Sequence, residues 1–317
     1  MTAATFDRRA IPAVARESVW HLPDGQALRR IDWPAPEGAR GAILFMCGRG
    51  DHYEKYLEAL DHWHRLGWAV TAADWRGQAG SGRLGADELT GHIDSFDVWI
   101  ADLSAFWGGW VTEMPGPHVL MGHSMGGHLV LRAVGDGALV PAPDGLVLSA
   151  PMLDMFPDKI PLFIRRAVAW AMCRIGDPRR QAWKWSEKPG EFRRERQLLL
   201  THDAARYEDE SWWRQQRPEL RMGPGSWGWV SAALQSVARL ERAHYLEGVK
   251  VPTLLLGTDA DKLVSPDAIR HAARRIPGAE IAMYGEETAH EILREVDPVR
   301  KRALATIDEF LDRVAAA

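Results

Sequence analysis

Cysteine is nearly absent from this chain: its 317 residues include two, Cys47 and Cys173. They stand far apart in apolar stretches, which excludes a disulfide framework and fits a reducing compartment. No apolar run approaches the roughly 18 residues that a membrane helix needs, and Met1 to Arg16 carries three arginines without a continuous apolar core. Neither a spanning helix nor a secretory leader is therefore expected. Excess positive charge is missing too. Lys and Arg number 39 against 43 Asp and Glu, a net charge of −4, which argues against nucleic acid as a partner. A soluble, cytoplasmic chain is the expectation.

What stands out against this background is Val119 to Val130, which reads Val-Leu-Met-Gly-His-Ser-Met-Gly-Gly-His-Leu-Val. An apolar run ends in Gly122-His123-Ser124-Met125-Gly126, and a helix-compatible run from Gly127 to Val134 follows. The pattern predicts strand, tight turn and helix with a serine at the apex. Glycines at 122 and 126 suit such an elbow, because its central residue is strained and strand and helix come too close for side chains beside it. Ser124 then projects above the sheet edge, near the positive end of the following helix.

Along the chain, Ser18 to Trp33 alternates around Pro23-Asp24-Gly25 and reads as an antiparallel hairpin. Short buried strands are expected at 41–47, 68–75, 119–122 and 145–150, with helices at 53–66 and 93–114. The second of these helices carries Ile93, Phe96, Ile100, Leu103, Trp107 and Trp110 as one apolar stripe. From Pro151 to Gly248 the pattern changes to Pro and Gly breaks, no convincing strand, 17 Lys and Arg against 13 Asp and Glu, and seven of the 15 Trp. Strands resume at 251–256 and 280–284, with helices at 266–275 and 298–314. This predicts an α/β fold, a mostly parallel sheet with helices on both faces, whose core (1–150 and 249–317) brackets an inserted helical cap (151–248).

In open α/β sheets, chemistry gathers at the carboxyl ends of the strands. Gly257-Thr258-Asp259-Ala260-Asp261 follows one such strand and Gly285-Glu286-Glu287-Thr288-Ala289-His290 follows the next. A serine hydroxyl needs a base within about 2.6–3.2 Å, which His290 supplies, and a buried carboxylate must fix the imidazole tautomer. Asp261 is preferred to Asp259 because it lies just before the apolar Val264 that would anchor its loop; Asp259 is then a turn residue. His123 and His128 read as structural groups. An oxyanion needs two donors, expected from the backbone amides of Met125 and of Arg49.

Cys47-Gly48-Arg49-Gly50 with Tyr53 and Tyr56, Asp74-Trp75-Arg76-Gly77-Gln78, Ser81-Gly82-Arg83, Gly91-His92, Gly122 to Gly127, Ala150-Pro151-Met152 and Ala289-His290-Glu291-Ile292-Leu293 together resemble the lysophospholipase and monoacylglycerol lipase group of α/β-hydrolases. Bacterial lysophospholipases of the inner-membrane type are most similar, with Leu200-Thr201-His202, Arg206-Tyr207 and Gly223-Pro224 extending the likeness into the cap. The chain departs from many relatives at Cys47, where they have His, and at Ala79, where they have Gly.

The resemblance implies a serine esterase for single-acyl-chain lipids, with a lid over an acyl pocket and no metal or organic cofactor. Trp183, Trp185, Trp212, Trp213, Trp227 and Trp229 are suited to lining such a pocket, and Trp227, Trp229 and Met152 are the expected substrate contacts. Leu162 to Ile175 reads either as a helix resting on a membrane surface or as a lid helix packed on the core with solvated arginines, the latter preferred. Other readings are a small-ester or lactone hydrolase, a non-catalytic binding module, and an aminopeptidase using Glu208-Asp209-Glu210. The basic balance of the cap argues against the last.

Overall fold

The computed structural model describes residues 6–184 and 194–317. Its strands are Arg16–His21 (β1), Ala27–Trp33 (β2), Ala42–Met46 (β3), Ala69–Ala73 (β4), His118–His123 (β5), Gly145–Ser149 (β6), Thr253–Thr258 (β7) and Glu280–Tyr284 (β8). They make one sheet in the order β1-β2-β4-β3-β5-β6-β7-β8. The β1–β2 hairpin runs antiparallel and β2 meets β4 antiparallel; all remaining pairs are parallel.

Helices are Leu57–Arg65 (α1), Phe96–Glu113 (α2), Met125–Gly135 (α3), Leu162–Arg174 (α4), Arg194–Leu200 (α5), Ala204–Gln216 (α6), Trp227–Leu240 (α7), Pro266–Arg275 (α8) and Asp297–Ala315 (α9). Strand alternation sorts side chains to two cores. On β3, Leu44 and Met46 join a cluster with residues of α2, α3, α7 and α8, while Ile43 and Phe45 join one with α1 and α9. Both faces are thus covered, and β3, β4, β6 and β7 are buried end to end.

Two helices start later than their apolar patterns suggest. A 3₁₀ turn, Tyr53–Tyr56, precedes α1. In α2 the hydroxyl of Ser95 accepts from the amide of Asp97 at 3.1 Å, which fixes the start after Ile93. The stripe Phe96, Ile100, Leu103, Trp107 and Trp110 is buried. Two indole N–H groups find acceptors there, Trp107 on Pro141 O at 2.7 Å and Trp110 on Thr71 Oγ1 at 2.9 Å.

Between β6 and β7 lie α4 to α7. α7 sits on the core through Trp229 against Phe96 and through a 2.6 Å hydrogen bond between His128 Nε2 and Ser236 Oγ. α4 packs on α7, and here the sequence expectation needs correcting. Its buried positions are Arg165 and Ala169, while Phe163, Val168, Trp170 and Ile175 are exposed. Arg165 goes inside because Asp154 meets it at 2.7 Å, a paired charge that tolerates burial.

Candidate active site

Ser124 stands between β5 and α3 at φ 53°, a left-handed conformation that a side chain disfavours. Its amide donates to Ser149 O at 2.9 Å, and its carbonyl accepts from His128 N and Met152 N, each at 3.0 Å. Close approach of the helix holds it there. A Cβ on Gly122 would lie 2.6 Å from the Gly126 carbonyl carbon, and one on Gly126 would collide with the carbonyl oxygens of Met46 and Cys47.

The loops after β7 and β8 bring Asp261 and His290 to the serine. Asp261 Oδ1 accepts from the amides of Leu263 and Val264 at 2.8 and 3.0 Å, and Oδ2 meets His290 Nδ1 at 2.7 Å. Because a carboxylate only accepts, Nδ1 carries the proton and Nε2 is left facing Ser124 Oγ at 2.9 Å. Desolvation opposes both charges. The pair nonetheless holds Asp261 below the ordinary carboxylate range and His290 above the ordinary imidazole range. Asp259 lies apart, exposed and ion-paired with Arg270.

His123 packs against the His290 ring with centroids 4.9 Å apart; burial first and the His290 charge second push it down to about 4. His128, buried between Met152 O and Ser236, is pushed down to about 3. Both stay neutral near pH 7. In the turn after β3, the amides of Gly48 and Gly50 are taken by Asp51 at 3.2 Å and Gln78 at 2.7 Å. Neither the Arg49 nor the Met125 amide has an acceptor among the described residues, so both are free to donate.

A cavity of about 560 Å³ opens on Ser124. Met152, Trp183, Trp227 and Trp229 line it. Trp212 and Trp213 do not: they pack edge to face against each other, and Trp213 donates to Arg8 O at 2.9 Å. Trp185 lies outside the described residues.

Sequence reading did not find the charge network beside the histidine. Lys55 Nζ bonds Asp51, Glu291 at 2.5 Å and Glu210 of α6 at 3.1 Å, and Arg294 bonds both glutamates. Along the chain the spacings Asp51–Lys55, Glu210–Arg214 and Glu291–Arg294 of about one helical turn are visible, but not that these pairs meet. Asp51, His123 and Glu291 also place ligand atoms within 4.8 Å of one another, as a metal site would, but the Lys55 ammonium already bonds both carboxylates.

Residues 37–297 match the family model described as serine aminopeptidase, S33. The chain belongs to that family. Among curated relatives of this hydrolase, lysophospholipase L2 of Escherichia coli strain K12 is 31% identical over 297 residues, covering 86% of this chain and 80% of that protein. The probable lysophospholipase L2 of Haemophilus influenzae is 24% identical, covering 87% and 86%. A soluble variant of the Saccharomyces cerevisiae monoglyceride lipase, solved with a substrate analogue, shares the fold at TM-score 0.76 and 19% identity, covering 96% and 97% of the two chains. Within the α/β-hydrolases the chain thus falls in the lysophospholipase and monoacylglycerol lipase group.

The crowding at the elbow carries a prediction for this hydrolase. Gly126→Ala should cost at least about 1–3 kcal/mol, the usual penalty of overpacking, read as a lower urea midpoint. An unchanged midpoint would contradict the described approach of α3 to β3.

Proposed function

We propose that the protein is a serine carboxylic ester hydrolase for single-acyl-chain lipids, either lysophospholipids or monoacylglycerols. One observation carries this reading: Asp261, His290 and Ser124 form an unbroken hydrogen-bonded chain that ends in a cavity rich in indole and methionine side chains. The names of the relatives point to the same chemistry.

In this reading Ser124 Oγ attacks the ester carbonyl carbon while its proton passes to His290 Nε2. Asp261 steadies the imidazolium, and the amides of Met125 and Arg49 hold the oxyanion. As the intermediate collapses, the proton goes from His290 to the leaving alcohol. Water then repeats the steps in the second half, releasing the fatty acid and restoring Ser124. The protein's own groups supply every proton and charge that the route requires, so no metal or organic cofactor is invoked. Residues 151–248 act as the cap and 1–150 with 249–317 as the core. The exposed apolar side of α4 makes peripheral contact with a membrane surface.

An aminopeptidase needs free acidic groups for the substrate ammonium. Here Asp209 is taken by Arg8 and Arg9, Glu210 by Lys55, Arg214 and Arg294, and Glu208 is exposed. That disfavours the peptidase reading.

The direct test is fatty-acid release from a lysophospholipid and a monoacylglycerol of equal chain length. Wild type should cleave at least one and Ser124→Ala neither, with a loss on the order of 10⁴-fold or more; equal rates in the two proteins would overturn the proposal. A second prediction concerns pH. Burial works against the imidazolium, but the Asp261 charge and hydrogen bond, together with the charges of Glu291 and Asp51, outweigh it and hold the His290 pKa above 6.5. The base is lost as pH falls through that raised pKa, so the acid limb of kcat/KM should lie above pH 6.5. Removing the Asp261 carboxylate leaves burial opposed only by the charges of Glu291 and Asp51. In Asp261→Asn the limb should move to lower pH and the rate should drop about 10⁴-fold, measured on a short soluble ester. A limb that stays put would count against the pairing.

A further inference from the structure

The cavity at Ser124 contains a cation that the hydrolytic route does not use. The Arg49 side chain runs from the turn after β3 toward the cap, where one guanidinium nitrogen donates to Gly223 O at 2.8 Å. Its guanidinium carbon lies 5.2 Å from the ring centroid of Trp183 and 5.0 Å from that of Trp229. Among the described residues no carboxylate lies within ion-pair distance of it, and its buried Nε has no hydrogen-bond partner. Other cations on the cavity wall differ in this respect. Lys55 is held by Asp51, Glu210 and Glu291, and Arg214 by Glu210. Arg196 of α5 lines the same cavity, and its charge opposes that of Arg49. Desolvation first and Arg196 second push Arg49 down to about 9, which still leaves it a cation at neutral pH.

A guanidinium among indoles that meets no carboxylate among the described residues is electrostatically incomplete, because burying a charge is costly unless an opposite charge meets it. Met152, Met155, Phe156, Val230 and Leu263 form an apolar part of the cavity wall that suits an acyl chain. An anion beside the ester would complete the site.

We infer that Arg49 binds the phosphate of the substrate head group, so that the preferred substrate is a phosphate-bearing single-chain glycerolipid and not a neutral monoacylglycerol. This rests on the esterase reading above and selects within it. The backbone of Arg49 is the expected oxyanion donor, and its guanidinium stands one side chain away. In a lysophospholipid the glycerol carbons separate ester and phosphate by a span of similar size. One residue then addresses the reacting carbonyl through its amide and the leaving group through its planar fork, which matches two phosphate oxygens.

The test compares kcat/KM for 1-octanoyl-glycerol 3-phosphate and 1-octanoyl-glycerol in wild type, Arg49→Met and Arg49→Lys. Because the readout is a ratio on one protein, damage shared by both substrates cancels. Wild type should favour the phosphate by about tenfold or more, Arg49→Met should lose about that factor, and Arg49→Lys should fall between. A wild-type ratio at or below one, or an unchanged ratio in Arg49→Met, overturns the assignment; an Arg49 that only latched the turn to the cap would give the unchanged ratio. Should Arg49→Met fail to fold, the wild type alone decides. Glycerol 3-phosphate should inhibit its turnover of p-nitrophenyl butyrate competitively where glycerol does not, and equal behaviour of the two overturns the assignment. Turnover of p-nitrophenyl butyrate through Ser124 with neither lipid cleaved sinks the lipid reading instead.

Discussion

The close approach of α3 to β3 and β5 is the constraint on which the rest of the site depends. Glycines at 122 and 126 let helix and strands meet where a Cβ would collide with backbone, and the chain between them has room for only a sharp reversal. Ser124 takes the strained φ of 53° as a result, and its amide and carbonyl are tied to Ser149, His128 and Met152 so that the strain cannot relax. The same reversal aims the hydroxyl off the sheet edge and leaves the Met125 amide open at the start of α3. The position of the Ser124 hydroxyl and the open Met125 amide are thus one consequence of one packing contact.

Charge near Ser124 is of two kinds. Lys55, Arg214 and Arg294 with Asp51, Glu210 and Glu291 form a balanced network of three cations and three carboxylates that joins the turn after β3, the α6 helix and the histidine loop. Removing one partner from such a set strands the others, which gives it the character of a structural clamp. Among the described residues Arg49 is unlike this set: it meets two indoles and one carbonyl, and the Arg196 charge opposes its own. The contrast within one cavity sets Arg49 apart as a group whose partner arrives from outside.

The hairpin, the parallel strands and the order Ser, Asp, His were legible in the chain because each is written in local pattern: alternation around Pro23-Asp24-Gly25, short apolar runs, glycines at fixed offsets. The choice of Asp261 over Asp259 was legible as well, through Val264, whose amide bonds the Asp261 carboxylate. What the pattern hid was tertiary. That Arg165 turns inward and Trp170 outward on α4 depends on Asp154, which lies outside the helix. Trp212 and Trp213 share the composition of the pocket tryptophans but face the N-terminal segment, and no spacing rule separates the two groups. Glu210 reaches Lys55, and Arg294 reaches Glu210, from distant parts of the chain, so the network leaves no mark in sequence beyond its local pairs Asp51–Lys55, Glu210–Arg214 and Glu291–Arg294.

The proposed chemistry stands or falls with Ser124 as a nucleophile activated by His290. Covalent labelling by a fluorophosphonate probe, located by peptide mass spectrometry, tests it most directly. One label per chain is expected, on Ser124, with labelling slowed on the order of 10³-fold or more in His290→Ala. Labelling elsewhere, or at an undiminished rate without His290, would contradict it.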